Sequence, residues 1–215
     1  MFVGHYGVSF AVKSLDKRIP LWLLFVAVQF VDVLWAVFVM TGIEKVRITP
    51  GITATNPLDL YYMPYTHSLV AALLWSAAGF VAYKFVSKST NYTAFLVAAA
   101  IFSHWVLDLI VHRPDLPLYD DTYKMGLGVW NYPALALTLE AGLLFGGIIL
   151  YLRSTTPVSR IGKFGMPVFG VVLLAVQSLV FFGAPPPSPL AAALTALISY
   201  VVFAGVVYWL EKKRQ

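Results

Sequence analysis

Long apolar runs, separated by short polar or glycine- and proline-rich stretches, make up most of this 215-residue chain. A helix that crosses a bilayer needs about 20 predominantly apolar residues. Five segments reach that length: residues 19–41, 66–86, 92–112, 129–152 and 190–210. A sixth, 164–182, is slightly short but almost wholly apolar. Ahead of them, residues 2–12 form an apolar stretch closed by Lys13, Asp16, Lys17 and Arg18. At about 1.5 Å per residue this stretch is too short to span. Its basic residues follow the apolar run and no A-x-A site appears, so it reads as a short helix inserted part-way rather than a leader. The pattern predicts an all-α, polytopic transmembrane helical bundle of six spanning helices plus a short inserted N-terminal helix. It forms a single membrane domain over residues 1–215, with the chemistry concentrated in about 1–128 and the remaining helices in about 129–215.

Composition agrees with this reading. Hydrophobic residues make up 60% of the chain and charged residues only 12%, about half the usual charged share of a soluble domain. Disorder, coiled coil and collagen-like chains are excluded. With no cysteine, so are a disulfide framework, a thiol nucleophile and thiolate metal sites. The net charge of +5 raises nucleic acid as a partner, but the basic residues sort by topology instead. Eleven of the Lys and Arg fall on one side of the predicted spans and four (Lys45, Arg47, Arg113, Lys124) on the other. The positive-inside rule puts the larger group, and the C-terminus, in the cytoplasm. The two long connections, 42–65 and 113–128, then lie on the outer side.

The informative residues are the polar ones inside the spans, which cost about 2.5–3.5 kcal/mol each and default to function. They are His5 in the short helix, Asp32 with Gln29 a turn before it, His67 at the start of the second span, His104, Asp108 and His112 in the third, and Glu140 in the fourth. His104, Asp108 and His112 are spaced four and four, which places them on one helix face. Imidazole and carboxylate on one face are ligands for Zn²⁺, Mn²⁺ or Fe²⁺, for one or two ions. A hydrogen-bonded packing stripe or a proton relay uses the same residue types. Counted from the outer ends of their spans, Asp32, His67, His104, Asp108 and His112 all fall in the outer half of the bilayer.

These residues also carry a resemblance. Gly4-His5, Asp32, Tyr65-Thr66-His67-Ser68-Leu69 and Ser103-His104-Trp105-Val106-Leu107-Asp108 resemble the LexA-regulated, membrane-bound metal-dependent hydrolase-like family of bacterial inner-membrane proteins. The resemblance covers about residues 1–115. It implies a metal site built from His5, Asp32, His67, His104 and Asp108. Asp32 lacks the flanking aspartate and histidine of the aspartate-x-aspartate-histidine motif found in many members. The ligand order is also similar to that of zinc-dependent phospholipase C, which implies a lipid or phosphoester substrate.

The expectation is a membrane-embedded, zinc-dependent hydrolase with its site toward the extracytoplasmic side. His5, Asp32, His67, His104, Asp108 and His112 are the metal ligands. Glu140 or Asp115 takes a proton, and Arg113 holds a phosphate or carboxylate at the mouth. Membrane lipids are the expected partners and nucleic acid is not. The alternative is a proton or divalent-cation transporter that uses the same cluster. No clear internal repeat, G-x-S-x-G elbow, Walker lysine loop or H-E-x-x-H motif is present.

Overall fold

A computed structural model describes all residues from Met1 to Gln215. Eight helices run in the order α1 (Val3–Leu15), α2 (Leu21–Val28), α3 (Phe30–Met40), α4 (Leu69–Val86), α5 (Asn91–Val111), α6 (Pro133–Ser154), α7 (Arg160–Phe182) and α8 (Pro189–Glu211). Five of them, α4 to α8, are long and apolar enough to cross a membrane. The first expected span, residues 19–41, is not one helix: α2 and α3 meet at Gln29 with a bend of 53°. The bundle therefore has five unbroken apolar helices and one broken pair, and the short helix α1 packs among them.

Local sequence accounts for most helix starts. Ser68, Thr90, Ser159 and Ser188 each accept the amide of the residue three ahead and so cap α4, α5, α7 and α8, as expected for hydroxyl N-caps. Pro133 and Pro189 occupy first-turn positions that need no amide donor. The stretch 42–65 is not a plain loop. It contains an antiparallel hairpin, β1 (Lys45–Ile48) with β2 (Leu58–Tyr62), in which Arg47 pairs with Asp59 and Ile48 with Leu58.

The core is divided by depth. A cluster of 24 buried apolar residues, among them Phe10, Phe25, Leu144, Ile148 and Leu173, fills the half away from the two long connections. Two smaller clusters, around Trp35 and Met63 and around Val111 and Trp130, lie under those connections. The far end is tied by Lys13 to Glu211 at 2.6 Å and by Asp16 to Arg18 and Thr93. The Arg18 guanidinium holds the Asp16 carboxyl well below the usual carboxylate range.

α1 lies against α6 with almost no space between the backbones. A Cβ on Gly7 would come within 2.2 Å of the Leu143 carbonyl oxygen, and one on Gly147 within 2.1 Å of the Gly7 carbonyl oxygen. Small residues at such a crossing are how apolar helices approach closely. Gly147→Ala should therefore lower stability by about 1–3 kcal/mol through overpacking. Thermal unfolding in detergent measures this, and an unchanged transition would show that the crossing tolerates a methyl group.

Candidate metal centre

The bend at Gln29 is the first element of the site. It interrupts the hydrogen-bond ladder, and the Val28 carbonyl accepts from His104 Nδ1 at 2.7 Å. The Gln29 side chain donates to the Phe2 carbonyl. The turn that follows points Asp32 inward. On α5, His104 and Asp108 lie one turn apart, with His104 Nε2 3.2 Å from Asp108 Oδ2. α1 brings His5, whose ring stacks on His104 at 4.0 Å and 5° and whose Nε2 lies 3.1 Å from Asp108 Oδ1. The Met1 nitrogen also meets Asp108 Oδ1.

His67 and His112 come from just outside helices. His67 precedes the Ser68 cap of α4, and His112 follows the last residue of α5. The prediction that His112 lies within the span is thus off by one residue. Pro114 explains it, because the residue before a proline is pushed away from helical geometry and the helix ends early. Nevertheless His112 Nε2 reaches Asp108 Oδ2 at 3.3 Å. His67 Nε2 lies 3.2 Å from Asp32 Oδ1 and 3.7 Å from Asp108 Oδ2. His104 Nε2 is also 3.5 Å from Asp32 Oδ1. All six residues expected to ligate metal therefore come together around two carboxylates. Two overlapping groups, Asp32/His67/His104 and His5/His104/Asp108, place their ligand atoms within 4.8 Å of one another and could hold a metal ion.

The far nitrogens of three imidazoles are fixed by oxygens. His104 Nδ1 donates to a carbonyl, and His112 Nδ1 to Asp115 Oδ1 at 2.9 Å. Thr66 donates its hydroxyl to Glu44 Oε2 and so accepts from His67 Nδ1, both at 2.7 Å. Each ring then turns an Nε2 lone pair toward Asp32 or Asp108. Such oxygen partners orient metal-bound histidines generally. Ligand atoms around four-coordinate zinc, bonded at about 2.0–2.1 Å, lie roughly 3.3 Å apart, and the separations here run from 3.2 to 3.7 Å. His104 Nε2, fully buried, makes no hydrogen bond despite its two carboxylate neighbours.

The three expected catalytic residues separate. Glu140 lines the cavity over the cluster and accepts the amides of Phe2 and Gly4, which anchors the first turn of α1. Asp115 and Arg113 do not line the cavity. They lie behind His112, where Arg113 is held between Asp59 Oδ1 at 2.6 Å and Asp115 Oδ2 at 3.1 Å. A role for Arg113 as a grip at the mouth is corrected by that placement: its charge is already used by two carboxylates. Ser68 and Ser103 are spent on a helix cap and on the Ala100 carbonyl.

Two orienting residues escape sequence reasoning. Glu44, in the loop before β1, is buried and accepts from the amides of Tyr65 and Thr66 as well as the Thr66 hydroxyl. Burial pushes its carboxyl above the usual range against these bonds and the nearby His67. Tyr200 on α8 donates its hydroxyl to Asp32 Oδ2 at 2.9 Å across 168 residues of chain. Its only sequence signal is a hydroxyl in the middle of an apolar span. Trp130 packs over His112 with ring centres 4.2 Å apart.

No protein-family model, no characterised protein and no solved structure matches the chain.

Glu44→Gln, Asp115→Asn and Tyr200→Phe each disturb a group that orients a ligand without removing the ligand. Each should weaken metal binding by about 10–100-fold, read by competition with a chelating dye. Wild-type affinity in all three would show that these contacts do not orient metal ligands.

Proposed function

We propose that the chain is a membrane-embedded, metal-dependent hydrolase, with zinc as the ion best suited to its donors. The observation that carries the reading is the arrangement around Asp32 and Asp108. Three imidazoles are held by their Nδ1 atoms so that their Nε2 lone pairs converge on two carboxylates. Lone pairs facing anions repel unless a cation lies between them, and ligation also neutralises charges that an apolar bundle tolerates poorly. The resemblance to the membrane-bound metal-dependent hydrolase-like family supports the same assignment through His5, Asp32, His67, His104 and Asp108. The positive-inside distribution supports a cytoplasmic-membrane location with the hairpin end outside.

Zinc bound here would supply a water of pKa near ~7 in place of 15.7. Asp32, His67, Asp108 and His112 face the cavity, and His5 and His104 close the site from behind. Glu140, the cavity-lining carboxylate outside both ligand groups, takes the proton released when water attacks.

The second reading, a proton or cation transporter, draws on the same buried charges. It needs a polar route to the opposite face. There the apolar core around Phe10, Phe25, Ile148 and Leu173 fills the bundle, which favours the hydrolase.

Elemental analysis of purified protein should find about one or two equivalents of a transition metal. The metal should be lost in His67→Ala and in the His104→Ala/Asp108→Ala double variant. Protein that stays metal-free after incubation with zinc and manganese would sink the proposal, and flux in proteoliposomes would then test transport.

A further inference from the structure

The cavity over the cluster has a volume of about 630 Å³, within the range of small-molecule sites. Its lining contains no lysine and no arginine. It does contain the carboxylates Asp32, Asp108 and Glu140. A phosphate group is normally held by an excess of fixed cations. Here Arg113 is turned away between Asp59 and Asp115, the Met1 ammonium is paired with Asp108, and the charge of one bound divalent metal would already be offset by Asp32 and Asp108. The other polar side chains of the lining are uncharged, among them Thr53, Asn56, Gln177, Ser199 and Tyr200.

The walls are apolar and lead outward. α7 contributes Val176, Leu179 and Val180, and α8 contributes Ala192, Thr195 and Ala196, which leave room beside the helix. Leu179 lines the cavity yet is 72% exposed, and Val180 is 52% exposed. The cavity wall therefore runs without a break onto the exposed apolar surface of α7. One polar group on this wall has no partner. Gln177 is 1% exposed, lines the cavity, and its Oε1 makes no hydrogen bond. A buried acceptor left unpaired costs about 1–3 kcal/mol, a cost that a donor on a bound molecule removes.

We infer that the ligand of this cavity is a neutral amphiphile: a lipid with an uncharged hydroxyl- or amide-bearing head group. The head group rests on Asp32, His67, Asp108 and His112 and donates to Gln177 Oε1. The acyl chain leaves along α7 and α8 into the surrounding apolar phase. The inference rests on the hydrolase reading for its reaction, the cleavage of a carboxylic ester or amide. Water adds its oxygen to the acyl carbon, the C–O or C–N bond breaks, and the water's protons end on the leaving alcohol or amine and in solution. The products are a fatty acid and the alcohol or amine it was joined to, which for a diacylglycerol is a monoacylglycerol.

The test compares dioleoylglycerol with dioleoylphosphatidic acid, which differ only in the phosphate. Native mass spectrometry of the full chain from detergent reads lipid retention, with metal content measured on the same samples. Dioleoylglycerol should be retained at least about tenfold better than phosphatidic acid, with oleate released by metal-loaded protein. Ala196→Trp, which fills the groove, should abolish retention at unchanged metal content. Gln177→Leu should weaken it about 3–10-fold, the worth of one hydrogen bond. Equal or better retention of phosphatidic acid, or wild-type retention in both variants, overturns the inference. If Ala196→Trp does not fold, Gln177→Leu decides alone. Metal-free protein that still prefers dioleoylglycerol overturns the hydrolase reading and upholds the ligand class. Metal-loaded protein without the preference overturns only the ligand class.

Discussion

Two carboxylates, Asp32 and Asp108, are held inside a bundle that is largely apolar, and the geometry around them follows from that burial. An anion moved out of water costs several kcal/mol unless its charge is met. The chain meets it with nitrogens from every side: His5 from α1, His67 from the turn before α4, His104 from α5 and His112 from just past the end of α5. Bringing them together demands three distortions. The span over residues 19–41 breaks at Gln29, which frees the Val28 carbonyl for His104. α1 stops part-way and settles on α6, where only glycine fits. The two long connections each send a few residues inward, Glu44 and Asp59 from one and Asp115 and Leu116 from the other.

Those connections supply the partners that set two of the imidazoles. Glu44 acts through Thr66 on His67, and Asp115 acts directly on His112. The line continues outward from Asp115 to Arg113, Asp59 and Arg47. Its outermost member, Arg47, is 64% exposed at its side chain. Surface pairs of that kind contribute little to stability. Asp59 and Asp115 are buried and Arg113 is half-buried, so the value of the line lies in holding Asp115 and the ring of His112 in place.

What was legible in the sequence follows from what is local. Hydropathy is a property of contiguous residues, so α4 to α8 are readable with boundaries close to those observed. The four-residue spacing of His104 and Asp108 is equally local, and their shared face is observed. The break at Gln29 is invisible because residues 19–41 are uninterrupted by proline or glycine, except for Pro20 at the start. Contacts of Gln29 with Phe2 and of Val28 with His104 accompany it, and neither can be inferred from spacing. The hairpin was hidden because each strand is only four or five residues long. Tyr200 and Glu44 meet the site across long stretches of chain, and no periodicity links them to it. Arg113 was read from its place beside the third span, yet neighbouring Asp59 and Asp115 decide where its guanidinium goes.

The site is asymmetric, and that bears on what a bound ion would do. A structural metal is closed on all sides by protein, whereas a catalytic one keeps a position open to a reactant. Here His5 and His104 are fully buried and lie on the closed side. Asp32, His67, Asp108 and His112 border a cavity large enough for a small organic group. A bundle that needed metal only for cohesion would gain nothing from that opening. Glu140, outside both ligand groups, lines the same opening while it anchors the first turn of α1. The rigid backing fixes the donors while the open face leaves room for a reactant, a division of labour that suits the proposed hydrolysis.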